Sequence, residues 1–311
     1  MSYISNGLNN LESLVKCLEP EKTKLNEPMS AHTTLGVGGE ADIFYKTENS
    51  GDLVKAIRLA KSFQVPVTVI GEGSGVVFGD LGIEGIVIRS NSKRIQIKPI
   101  RSFTDIFIKK EVKKMEVTID GGMGTQMALK ELDGKGIVGL ECMKNYRGSI
   151  AGAVLDGLGR EFLKKISIID VHGGVKTKTP GKNVEGSVIV DATFVLRSGV
   201  QNQKLKKRGE KIKEKKQSRS VSKVFEDLPE EEVKILGYPT GNPAYLIGDV
   251  LNMKDFRLGK MKISRSDANT VVNLGKGTAK NYVQLVEEIK NRARDAVGIE
   301  LAENVVRLGK F

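Results

Sequence analysis

Short runs of β-branched residues alternate along this chain with apolar stripes at helical spacing, and turn residues separate the two. That alternation predicts a mixed α/β architecture made of several strand–helix units. The clearest unit lies between residues 43 and 97. Ile43-Phe44-Tyr45 reads as a strand, and Asn49 to Phe63 as a helix with Leu53, Ala56, Ile57 and Ala60 on one face. Pro66 to Ile70 predicts a buried strand, and Gly85 to Arg89 predicts another, continued by Arg94 to Ile97. Together they make a compact β-α-β unit, which puts a loop at the carboxyl edge of a parallel pair. A second set begins at Met115, with strands predicted over 117–120, 166–171 and 188–196 and a helix over 126–132. A third has an apolar helix over 244–251, a strand over 270–273 and a long helix over 279–297. That last helix is expected to bury Val283, Val286, Ile289, Ala293 and Val297. Ahead of all of these, Leu8, Leu11, Leu14, Val15 and Leu18 predict a short amphipathic helix.

The turns carry more chemical information than the strands. Gly71-Glu72-Gly73-Ser74-Gly75 follows the buried strand directly. Such a turn either connects two strands tightly or gathers successive backbone N–H groups into a concave site for an anion such as a pyrophosphate. Two further small-residue turns accompany it, Gly36-Val37-Gly38-Gly39 and Arg147-Gly148-Ser149-Ile150-Ala151-Gly152.

Composition narrows the chemistry. The chain has 311 residues, a net charge of +12, two cysteines, two histidines and no tryptophan. Its length predicts two or three domains. Cys17 and Cys142 are too few and too far apart for a disulfide framework or a metal site. His32 has no visible partner, and a histidine triad or a His-rich metal site has little material to draw on. With no apolar run of membrane-spanning length and no signal-peptide pattern, the expectation is a cytoplasmic protein, monomeric and without a membrane partner. The positive charge attracts anions generally and is concentrated in Lys204 to Lys223, which reads as a solvated helix or a basic arm. No aromatics are interleaved there to stack bases, so nucleic acid is a weak candidate partner.

Several blocks in order resemble one family. His32-Thr33-Thr34-Leu35 with Gly38-Gly39 and Ala41-Asp42 is similar to the opening motif of the UDP-N-acetylenolpyruvoylglucosamine reductases, the flavoenzymes that complete UDP-N-acetylmuramic acid in peptidoglycan synthesis. Gly71-Glu72-Gly73-Ser74 resembles that family's flavin-pyrophosphate turn. Arg147 to Val154 resembles the segment whose backbone lies along the flavin. Ala268-Asn269 with Val272-Asn273-Leu274-Gly275, and the ending from Gly298 to Gly309, continue the match. The resemblance implies an α+β chain: a two-lobed FAD-binding fold of the vanillyl-alcohol-oxidase (PCMH) type plus a C-terminal α/β substrate domain. The expected divisions are a helical leader over 1–28, lobes over 29–100 and 101–200, a basic connection over 201–223 and the substrate domain over 224–311. It also implies FAD as cofactor, NADPH as reductant and a nucleotide-sugar substrate. The implied cofactor-binding residues are Gly38, Gly39, Gly71, Glu72, Gly73, Ser74, Gly75, Arg147, Gly148, Ser149, Ile150 and Gly152.

At the positions where that family carries its chemistry, this chain departs. Aligning on Val224-Phe225 puts Lys223 at the proton-donating serine, with Ser222 one residue away. Asn304 stands at the catalytic glutamate, with Glu303 adjacent, and the family's substrate arginine has no counterpart because the stretch 176–187 is short. Gly36 replaces the arginine that follows the opening motif, Lys262 replaces a glutamine and Asp227 an asparagine. The family positions Ser222, Lys223 and Asn304 are therefore the candidate catalytic set, substituted. Two readings follow: a reductase with a rewired proton donor, or a non-catalytic homologue that binds flavin, nucleotide or a partner on the same scaffold.

Overall fold

The run Val67-Thr68-Val69-Ile70 forms a strand that pairs in parallel with Ile83–Ser90, Val67 matching Ile86 and Ile70 matching Arg89. On the far side of Ile83–Ser90 lies Glu40–Thr47, and Thr23–Pro28 takes the edge of this four-stranded sheet. The helix Ser50–Ser62 starts where the Asn49 side chain accepts the Asp52 amide at 2.9 Å, and it buries Leu53, Ala56, Ile57 and Ala60 as the stripe predicts. These descriptions come from a computed structural model that describes residues 2–100, 113–170, 173–179, 187–198 and 219–311. Most of the basic segment, 204–218, lies outside the described residues.

Contacts divide the chain into two units, each assembled from separated segments. Residues 1–25, 43–72 and 85–213 make the first, and residues 26–42, 73–84 and 214–311 the second. The first holds a further sheet of antiparallel neighbours in the order Val175–Lys178, Leu163–Ile169, Val188–Ser198, Lys113–Asp120, Ile95–Pro99. Here one expectation needs correcting. The strand at 95–97 does not extend the first sheet; Ile95 pairs with Ile119 and Ile97 with Val117, where both pack against the core of the second sheet. The helices Thr125–Gly134 and Ile150–Leu155 cover that core with Ala128, Leu132, Ile150 and Ala153. Burying alternate apolar residues this way removes roughly 25 cal/mol of unfavourable exposure per Å².

The second unit is built on the antiparallel order Ser220–Ser222, Thr270–Asn273, Met261–Ile263, Arg257–Leu258. The helix Ala279–Val297 packs against the same core. Its predicted limits hold, because Thr278 and Asn281 form a capping box and Gly298 ends it in the left-handed conformation. The buried face is rotated from the expected one: Tyr282 and Leu285 are buried with Val286, Ile289 and Ala293, whereas Val283 and Val297 are only partly covered. The expected helix at 244–251 is a short α-turn, Pro243–Tyr245, running into a π-helical stretch, Leu246–Val250.

One connection in this unit comes from far away in sequence. Val76–Phe78 pairs in parallel with Val306–Leu308, and the Asp80 carboxylate then accepts the amides of Ala279 at 2.7 Å and Lys280 at 2.9 Å. A carboxylate on the first amides of a long helix satisfies orphan donors and complements the helix dipole. Asp80→Ala is expected to cost about 1–2 kcal/mol, read as a lower midpoint in chemical unfolding; an unchanged midpoint would show that the contact contributes nothing.

Candidate functional site

The 71–75 turn is held differently at its two ends, and the boundary between the units falls between Glu72 and Gly73. In the first unit a Cβ on Gly71 would stand 2.5 Å from the Ser149 hydroxyl, so only glycine lets the turn lie against that residue. The Arg147–Gly152 segment is thereby brought to the Gly71 side of the turn. Ser149 caps the short helix Ile150–Leu155, accepting the Gly152 amide at 3.3 Å. A third small-residue turn joins them: Ile150 and Ala151 donate to Met123 and Gly121, and Thr125 donates to Gly148. The Gly124 face lies toward the Glu72 carboxylate, whose other oxygen is 3.8 Å from Arg89.

In the second unit Gly73, at φ +68°, takes a place where a Cβ would overlap the His32 carbonyl, and its own carbonyl accepts the Thr34 amide at 2.9 Å. Gly75 has open space where a side chain would project, and its carbonyl accepts the Val306 amide. Among the described residues, the amides of Glu72, Gly73, Ser74 and Gly75 donate no hydrogen bond. Three of these successive unspent donors, at Gly73, Ser74 and Gly75, lie in the second unit on a glycine turn, the chemistry that suits an anion. Gly38 and Gly39 serve the chain's own packing instead. Gly38 abuts Phe78, and the Gly39 amide is used by the Gly79 carbonyl at 2.9 Å. His32, expected without a partner, has one in Glu27, with Nε2 2.8 Å from the carboxylate.

Sequence reading missed a buried polar group in the first unit. Ser90 Oγ, Ser92 Oγ and Asp120 Oδ2 are all buried and have no hydrogen-bond partner. Asp120 ends the strand Lys113–Asp120 immediately before the glycine turn at 121–124, and Gly122 leaves no room for a Cβ against Ser90. Burial pushes the Asp120 carboxyl above the usual carboxylate range, the Asp191 charge adds to this and Arg94 opposes it. The available signal was an acidic residue in an otherwise apolar strand end, Val117-Thr118-Ile119-Asp120, beside three glycines. Close by in sequence, the exposed Arg147 has no ion-pair partner among the described residues. Burial, with Asp156 adding, raises the Tyr146 phenol well above its ordinary range, and its hydroxyl sits over Gly152.

Of the candidate catalytic positions, Lys223 and Asn304 meet in the second unit. Ser222 is the exposed last residue of its strand. Lys223 follows in the left-handed region at φ +53°, and its carbonyl accepts the Asn304 side-chain amide at 3.1 Å. The Asn304 backbone amide donates to Val224, and Glu226 donates to Ala302. Adjacent Glu303 turns elsewhere. Its carboxylate accepts the Tyr282 hydroxyl at 2.9 Å and two Arg307 nitrogens at 3.2 and 2.6 Å, with Lys290 at 3.5 Å. The buried Tyr282 phenol is raised far above its usual range, first by burial and then by this carboxylate. Lys262 is likewise committed, donating to Asp255 at 2.8 Å and holding that carboxyl below its ordinary range.

Known proteins match this arrangement along most of its length. Residues 41–181 match the family description "FAD binding domain", and residues 214–308 match "UDP-N-acetylenolpyruvoylglucosamine reductase, C-terminal domain". The UDP-N-acetylenolpyruvoylglucosamine reductase of Lachnoclostridium phytofermentans is 24% identical over 96% of this chain and 97% of its own. The corresponding reductase 1 of Bacillus anthracis is 27% identical, with 92% and 94% covered. A crystal structure of the reductase from Thermus caldophilus shares the fold, with a TM-score of 0.63 at 21% identity over 92% of this chain and 98% of that one. With the FAD-binding and reductase C-terminal domains in order, and relatives aligned from end to end, the chain belongs to the UDP-N-acetylenolpyruvoylglucosamine reductase family as a divergent member.

Proposed function

We propose that this protein binds FAD, takes its reducing equivalents from NADPH and acts on the enolpyruvyl group of a UDP-sugar, with Lys223 and Asn304 in place of the family's proton-transfer groups. FAD supplies the hydride chemistry when bound; the chain's own residues supply position and protons. The residues present fit that group. The unspent amides of the 72–75 turn suit a pyrophosphate, and the unpartnered oxygens of Ser90, Ser92 and Asp120 await polar atoms from a ligand.

The observation that carries the reading is the pairing of Asn304 with Lys223 while Glu303 is bound to Tyr282, Arg307 and Lys290. Asparagine cannot ionise, so of the two family positions only Lys223 retains a proton to give. A second reading, ligand binding without turnover, is favoured by the same loss of a carboxyl group.

The test is spectroscopic. Purified protein is expected to show the flavin absorption bands, NADPH is expected to bleach them, and enolpyruvyl-UDP-GlcNAc is expected to restore them slowly. In the double variant Lys223→Ser/Asn304→Glu the reoxidation step is expected to accelerate by about 10²-fold, the usual contribution of a positioned acid. Bleaching without any reoxidation, in both proteins, would select the second reading; absence of flavin after incubation with FAD would reject the first and leave the second only as binding of a nucleotide or a partner.

Asp120 gives an independent check. A carboxyl whose folded pKa is raised contributes stability below its unfolded pKa, and that contribution is lost as the pH rises through the folded value. Asp120→Asn is therefore expected to be more stable than the native chain at pH 7–8. That advantage should fade as the pH falls toward about 4, the unfolded range of an aspartate. Unfolding curves across that pH range would show it, and a pH-independent difference would contradict the assignment.

A further inference from the structure

The position where the family resemblance expects an arginine is Gly36, and the space beside it is not empty. Gly36 has a φ of +70°, and a Cβ built there would lie 2.8 Å from Cδ, 3.1 Å from Nε and 3.3 Å from Cγ of Arg219. An arginine stem from another segment thus crosses the face that a side chain at position 36 would occupy. Its backbone is anchored: the Arg219 carbonyl accepts the Asn273 amide at 2.8 Å, and Ser220 donates to Thr34 at 3.0 Å. Thr34 in turn donates to Gly73, so one run of backbone hydrogen bonds connects the strand at 220 to the glycine turn within the same unit. Asn273 closes the other side, its side-chain amide donating to Leu35 at 3.0 Å while its oxygen accepts Gly275 and Gly277.

Among the described residues no carboxylate lies within ion-pairing distance of the Arg219 guanidinium. Three other arginines of this unit, Arg292, Arg294 and Arg307, each hold a glutamate. A planar, permanently charged fork held beside a glycine turn and left without an internal anion is suited to a phosphate oxygen pair.

We propose that Arg219 is an anion-binding residue of this chain, supplying from the 219–222 segment the guanidinium that the family carries at position 36, and that its ligand is a diphosphate diester. The proposal rests on the reductase-family reading, in which two such diesters occur, the pyrophosphate of FAD and that of the UDP-sugar. A leucine at 219 would keep carbon atoms over Gly36 but remove the guanidinium, which separates packing from charge.

The test is calorimetric titration of the intact protein with FAD and, separately, with UDP-GlcNAc, at low ionic strength. Arg219→Ala is expected to weaken one of the two ligands by about tenfold or more, the value of one charge-assisted contact, with Arg219→Lys restoring part of the loss. The ligand affected identifies which diphosphate the residue holds. Arg265→Ala, which removes the same charge from a residue 85% exposed, is expected to leave both affinities unchanged. If Arg219→Ala and Arg219→Gln both bind FAD and UDP-GlcNAc as tightly as the native chain, the proposal is overturned while the reductase reading stands. If the native chain binds neither ligand, the reductase reading falls and takes this assignment with it.

Discussion

Residues 73–84 run through a channel of backbone carbonyls with no room for side chains at several points, and the second unit depends on that close approach. A Cβ on Gly73 would overlap the His32 carbonyl, one on Gly79 the Lys310 carbonyl, and one on Gly82 the Glu40 carbonyl. Because the chain comes so near, its amides and carbonyls can be exchanged with segments remote in sequence. Gly79 donates to Leu308, Leu81 to Lys310, and Asp80 reaches the first amides of the 279–297 helix. A buried backbone group without such a partner would cost about 1–3 kcal/mol, so the glycines stabilise this arrangement by what they permit and not by what they contact. The same crowding ends at Gly75, where space is open and the preceding amides are unspent. The packing of 76–82 therefore fixes the free end of the turn.

Much of this was legible in the chain, for reasons that are local. The strand at 67–70, the helix at 50–62 and the limits of the 279–297 helix follow from β-branched runs, stripes and caps within a few residues. The misplaced features depend on information from elsewhere. Ile95 and Ile97 look like a continuation of the first sheet, but their hydrogen-bond partners begin some twenty residues later, at Val117 and Ile119. On the long helix, valines at 283 and 297 fit a stripe as well as Tyr282 and Leu285 do. The larger residues win because the core opposite accommodates them and Glu303 satisfies the tyrosine hydroxyl. The site divides in the same way. Glycine turns announce themselves, whereas the commitment of Glu303 depends on partners on two other segments.

That commitment decides how the substituted catalytic positions should be viewed. A one-residue displacement of the carboxyl, from 304 to 303, looks small in a sequence. In the structure it separates two environments. Asn304 faces the Lys223 carbonyl at the end of a strand, while Glu303 is 12% exposed and accepts hydrogen bonds from a buried phenol and a guanidinium. Withdrawing Glu303 would leave the Tyr282 hydroxyl unpaired and Arg307 with Glu287 as its remaining carboxylate partner, so the turn is held by costs on both sides. Glu303 is thus a structural anion, and at 304 the turn presents an amide.

The two halves of the proposed chemistry make different demands on a sequence, and the reason is physical. A pyrophosphate site made from main-chain amides depends on φ and ψ and on the absence of a few Cβ atoms, so most side-chain substitutions around it leave it intact. Proton transfer depends on the identity and ionisation of single side chains at single positions, and one substitution removes it. The turn at 71–75 has three glycines and unspent donors, while Lys223 and Asn304 stand at the candidate catalytic positions. Beside Gly36, the space that a side chain would take is occupied by the stem of Arg219 from another segment. The carboxyl adjacent to Asn304, that of Glu303, is held by Tyr282, Arg307 and Lys290.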